Sequence, residues 1–141
     1  MTDADIVRVF LEALQDGDLD AAMALLTEDA VWINVSLPAV RGRRAIERIC
    51  RWSLNQGGGF KVHFHGIADA GDGVVLTERA DALSMGRFEQ RFWVYGRFEL
   101  RDGRIAVWRD AFDWRDITAS LLRGAAGAAL PSLNRAWPPR R

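Results

Sequence analysis

Near the N-terminus the apolar positions Ile6, Val7, Phe10, Leu11 and Leu14 recur at the spacing that puts one apolar stripe on a helix, with Thr2 or Asp3 as its cap and Gly17 as its stop. Asp18 can cap a second helix carrying Leu19, Ala22, Met23, Leu25 and Leu26. "AVWINV" reads as a strand, "SLPAVRG" as a loop, and Arg43 to Asn55 as a third helix that stops at Gly57, Gly58 and Gly59. From Phe60 onward the period changes to alternation, giving strands near 60–69, 74–84, 88–100 and 104–113. "AGDGVV" and "LRDGRI" place Asp-Gly between apolar runs, the mark of tight hairpins. A last helix spans about Trp114 to Leu122 and ends at Gly124, and the small, Pro-containing remainder reads as a tail. Helices followed by a strand meander predict an α+β domain over residues 1–123, with helices on one face of a curved antiparallel sheet, and a C-terminal tail over 124–141.

Alternation also sorts the polar residues. Val75, Thr77, Arg79, Asp81 and Leu83 share one face of a strand that is otherwise apolar. In the last strand Ala106, Trp108, Asp110 and Phe112 share a face, so Asp110 keeps aromatic company. In "AVWINV", Trp32 and Asn34 lie opposite Val31, Ile33 and Val35. If the concave side of the sheet holds a pocket, Arg79, Asp81, Asp110, Trp32 and Asn34 converge there, with Trp108, Phe112 and Leu83 as lining.

An arginine between two carboxylates is informative because its planar fork stays charged and can bridge both acids. One positive charge cannot compensate two buried negative ones, so such a pair tends to retain one proton. A protonated acid facing an ionised one is equipment for acid–base catalysis. A structural ion pair is the alternative account of Arg79 and Asp81.

Composition narrows the classes. The 141 residues are 49% hydrophobic and 27% charged, with a net charge of +0, which fits a globular protein and gives no field to draw nucleic acid or an anionic membrane. No run approaches the roughly 18 apolar residues of a membrane span. The N-terminus has acids where an export signal needs basic residues. Cys50 is the only cysteine, which makes an intracellular, cytoplasmic location the default; its helical spacing with Ile46, Ile49 and Leu54 predicts a small core residue. His63 and His65 share a strand face but have no evident third ligand for a metal. A phosphate loop and a G-x-S-x-G elbow are both missing.

"VVLTERADAL", "GRIAVWRDAFD" and "EDAVWINVSLP" together resemble the limonene-1,2-epoxide hydrolase family, of the nuclear-transport-factor-2-like superfamily, over about Asp18 to Arg123. The resemblance implies a cone-shaped, mixed or antiparallel sheet with helices on its concave side. It also implies one-step opening of a small apolar epoxide by water, without covalent intermediate, metal or organic cofactor. Asp81 matches the family's acid, Asp110 its base, Arg79 the bridging arginine and Asn34 the asparagine that helps hold the water. Where the family has a tyrosine two residues before that asparagine, this chain has Trp32, whose indole donates one hydrogen bond and accepts none. A homodimer is implied, with the sheet's outer face bearing Trp93 and Tyr95 as a candidate contact. An isomerase or cyclase of the same fold, and a non-catalytic ligand-binding domain, are the alternatives.

Overall fold

A computed structural model describes residues 1–139. The last two residues of the expected tail, 140 and 141, lie outside the described residues.

The local signals at the N-terminus work as the sequence predicts. Helix α1 spans Asp3–Asp16; Thr2 accepts from the Asp5 amide while the Asp5 carboxylate accepts from the Thr2 amide, a reciprocal cap. The helix ends at Gly17, whose φ of 73° is left-handed. Asp18 caps α2, Leu19–Ala24. Leu26, expected on that helix, instead opens strand β1, Leu26–Asn34, where it is fully buried and pairs with Ile105. A short strand β2, Val40–Arg41, lies in the stretch expected as loop, and α3 spans Arg43–Asn55.

Four long strands follow: β3 (Gly58–Gly71), β4 (Val74–Met85), β5 (Phe88–Arg101) and β6 (Arg104–Ala111). Asp72-Gly73 and Asp102-Gly103 both have two successive positive φ angles, 52° and 75° and then 52° and 74°, the geometry that matches the twist of a two-residue hairpin. β6 stops short of the expected residue 113, because Asp113 turns to cap the next helix.

The sheet order is β2-β1-β6-β5-β4-β3. It is mixed: β1 runs parallel to β6, and the other pairs are antiparallel. The parallel pair sets Trp32 beside Trp108 and Asn34 beside Asp110. Across the antiparallel pairs, Asp81 faces Phe92, Arg79 faces Val94 and Gly96 faces Asp110. All these residues therefore point to the same inner side of the sheet. There α1 and α3 close over it, burying Phe10, Leu11, Ile46, Val75 and Phe98 between helix and sheet.

Helix α4 spans Trp114–Ala129 and does not stop at Gly124. A Cβ at Gly124 would lie 2.6 Å from the Glu89 carbonyl oxygen, so this glycine lets the helix approach β5 closely. The chain beyond α4 turns back over the outer side of the sheet. Arg91 donates to the Ala136 carbonyl at 3.0 Å, and the Trp137 ring lies 5.5 Å from the Arg91 guanidinium and 5.9 Å from the Lys61 amine. Among the described residues no helix is long and apolar enough to cross a membrane.

Candidate active site

Strand β4 brings Thr77, Arg79 and Asp81 to the inner face at successive alternate positions, and β6 brings Trp108 and Asp110. The five side chains form one hydrogen-bonded network. Arg79 Nε donates to Asp81 Oδ1 and Nη2 to Asp81 Oδ2, both at 2.9 Å. The same Nη2 donates to Asp110 Oδ1 at 2.8 Å, and Nη1 to Thr77 Oγ1 at 3.3 Å. The Trp108 indole completes the set with a 2.9 Å bond from Nε1 to Asp110 Oδ2. Arg79 has no exposed surface, while Asp81 and Asp110 retain 4% and 6%, enough to face a cavity.

Electrostatics separates the members of this network. Burial raises the Asp81 carboxyl above its ordinary range; Arg79 opposes that shift and Asp110 adds to it. Burial also acts against charge on Arg79, but Asp110 and Asp81 more than offset it and hold the guanidinium protonated. Two carboxyl groups and one permanent cation thus share a nearly fully buried site.

Above them lies a cavity of about 550 Å³. Trp32, Asn34, Asp81, Leu83, Trp108, Asp110 and Phe112 all line it, so the structure brings these sequence-predicted residues together. Arg79 sits beneath them, touching the carboxylates and not the cavity. The remaining wall is largely apolar, with Leu14 and Leu19 from the N-terminal helices, Ile49 and Leu54 from α3 and Ile117 from α4. Cys50, expected in the core, packs against it and also lines the cavity; burial pushes its thiol up to about 11. A second cavity of about 590 Å³ lies on the outer side, between β5, α4 and the tail, and touches neither site carboxylate.

Trp32 stacks on Trp108 with ring centroids 4.5 Å apart and planes 13° from parallel, and Phe10 meets Trp108 edge-on at 5.0 Å. The Trp32 Nε1 atom is itself buried without a hydrogen-bond partner. His63 and His65 lie away from the site, His65 stacked on Trp93 at 4.3 Å.

Sequence reasoning missed three contributors. Gln90 lines the cavity and donates to Ser120 Oγ at 3.1 Å, tying α4 to β5. Thr77 was visible on the Arg79 face but carried no role until the structure placed its hydroxyl on the guanidinium. Gly96, an isolated glycine in a strand pattern, is a signal of close approach, and here Thr77 Oγ1 and Arg79 Nη1 make it.

Known proteins resemble this chain over most of its length. Residues 1–123 match the family model described as the limonene-1,2-epoxide hydrolase catalytic domain. The chain is 44% identical over 127 residues to the epoxide hydrolase EphG of Mycobacterium tuberculosis, covering 90% of this chain and 84% of that protein. The solved structure of a limonene-epoxide-hydrolase-like epoxide hydrolase of M. tuberculosis superposes with a TM-score of 0.89 at 42% identity, covering 95% of each chain. A putative polyketide cyclase from Xanthomonas campestris pv. campestris shares the fold alone, with a TM-score of 0.70 at 20% identity over 84% of this chain and 96% of that one. The chain therefore belongs to the limonene-1,2-epoxide hydrolase family of enzymes.

Proposed function

We propose that the protein adds water to a small apolar epoxide, giving a vicinal diol in one step without metal or organic cofactor. The observation that carries this reading is the Asp81–Arg79–Asp110 bridge at the base of a mostly apolar cavity. Asp81, whose proton is held more tightly than an ordinary carboxyl's, gives that proton to the epoxide oxygen as the ring C–O bond breaks. Water attacks the ring carbon from the opposite side and passes its proton to Asp110, with Asn34, adjacent across the β1–β6 pair, helping to hold it.

Charge conservation favours this arrangement. One negative charge leaves Asp110 as one appears on Asp81, and the two N–H groups of Arg79 already point at the Asp81 oxygens where it develops. The site stays neutral throughout, and the cycle closes when the proton returns from Asp110 to Asp81. The apolar wall suits an uncharged ring and restricts water to the polar floor.

A homodimer and a cytoplasmic location belong to the same proposal. Leu76, Trp93 and Tyr95 are 46%, 37% and 57% exposed, which supports the outer face of the sheet as a subunit contact. Light scattering that finds only a 15.8 kDa species removes the dimer.

The activity is tested by incubating the protein and its Asp110→Asn variant with cyclic and aryl epoxides and quantifying diol. Turnover by the parent and its loss in a folded variant is the expected result. Diol absent from every parent reaction overturns the reading.

A further inference from the structure

Each carboxylate of the bridged pair accepts two donors, but from different sources. Asp81 takes both from Arg79, whereas Asp110 takes one from Arg79 Nη2 and its second from Trp108 Nε1, two residues earlier on the same strand. We propose that Trp108 is a positioning residue whose indole N–H keeps Asp110 the ionised member of the pair, so that the shared proton rests on Asp81. The inference rests on the acid and base roles proposed above and adds a residue to them.

A hydrogen bond donated to a carboxylate favours its charged form. With Trp108 in place Asp110 equals Asp81 at two donors, so the burial that raises the Asp81 carboxyl decides where the proton rests. Without it Asp81 keeps two and Asp110 has one, and the proton shifts toward Asp110, where it disables the base. Indole neither accepts nor titrates in the working range, so this bias holds across the pH span in which the carboxyls change state. Among the described residues Arg79 and Trp108 are the only side chains that donate to Asp110. The residue opposite Asp110 on β5 is Gly96, its neighbour on β1 is the uncharged Asn34, and the charged groups facing it from β4 are Arg79 and Asp81 themselves. Across the cavity on α3, Cys50 is the one further titratable lining group among the described residues, and its thiol stays neutral near pH 7.

The indole is held for this task. Trp32 stacks on one face of Trp108, Phe10 meets it edge-on, and only 6% of Trp108 is exposed. Trp32 offers Trp108 its ring face. Trp32 thus acts through Trp108, a role that a flat aromatic surface fills whether or not it carries a hydroxyl.

The test compares the parent with Trp108→Phe, which keeps a ring and removes the donor. Aspartate carboxyls labelled for NMR are titrated in both, with Asp110→Asn identifying the Asp110 signal. The Asp110 titration is expected to move up by about one pH unit in the variant, in proportion to the loss of one hydrogen bond to a charged group. The acid limb of kcat should move with it, while KM stays within about twofold. If Trp108→Phe fails to fold, site-specific replacement by benzothienylalanine, which puts sulfur in place of the N–H at nearly unchanged shape, is expected to give the same shift. An unmoved Asp110 titration in either folded protein overturns the proposal. Failure of the parent to make diol from any epoxide would instead remove the catalytic reading, and the carboxyl titration would still decide what Trp108 does.

Discussion

The Arg79 guanidinium shares with the Thr77 hydroxyl the space that a side chain at Gly96 would fill: a Cβ there would press hardest on Thr77 Oγ1 and lie 2.6 Å from Arg79 Nη1. Gly96→Ala should therefore push the guanidinium off its two carboxylates. The expected cost is about 1–3 kcal/mol of stability, as for other overpacked cores. Diol formation should fall at least about tenfold, mainly in kcat, because the pair loses its bridge and not its cavity. Chemical denaturation and steady-state kinetics check both numbers.

Replacing Arg79 itself should be harsher. Arg79→Met leaves two buried acids without a cation, and loss of one partner from a buried ionic network costs roughly 3–5 kcal/mol. Arg79→Lys keeps the charge but cannot reach Asp81 Oδ1, Asp81 Oδ2 and Asp110 Oδ1 with one planar fork, so it should recover part of the stability and little of the activity. Equal activity in Arg79→Lys and the parent would show that charge alone suffices.

Local chemistry made much of this fold readable from sequence, and distance along the chain hid the rest. The reciprocal cap at Thr2 and the two Asp-Gly turns need only a few neighbouring residues, and they stand where the pattern puts them. Alternation likewise placed Arg79, Asp81 and Asp110 on inner faces. The parallel pairing of β1 with β6 joins segments separated by four strands and a helix, and no local pattern encodes it. Yet that pairing brings Asn34 and Trp32 to the site. A propensity rule makes Gly124 a helix stop because it cannot see the Glu89 carbonyl that requires a glycine there. The Trp108 N–H was hidden in a residue read as lining, since alternation gives a face and not the direction of an indole.

The raised Asp81 carboxyl carries a stability prediction. The folded protein holds this proton more tightly than the unfolded chain, whose ordinary value is near 3.8, so the contribution is complete below that value and is lost as pH rises through the folded-state value. Asp81→Asn removes this titration. The stability difference between parent and variant should therefore shift toward the variant as pH rises from about 4. Urea melts at several pH values measure it, and a difference independent of pH contradicts it.

Cys50 lines the cavity proposed to take the electrophilic epoxide, and its thiol is held near 11. At pH 7 the thiolate is a trace species, so the epoxide meets water before it meets sulfur. Iodoacetamide should leave Cys50 intact near neutrality, as read by mass spectrometry. Rapid alkylation at pH 7 would mean that the thiol is better solvated than its position indicates.

Direct addition of water, with no enzyme-bound ester, is the central claim, and the origin of the new hydroxyl oxygen decides it. A single turnover with enzyme in excess over epoxide, in water enriched in heavy oxygen, should give diol labelled in its first and only cycle. Unlabelled diol from that turnover would mean that a carboxylate oxygen of Asp81 or Asp110 attacked the ring, and would contradict the account.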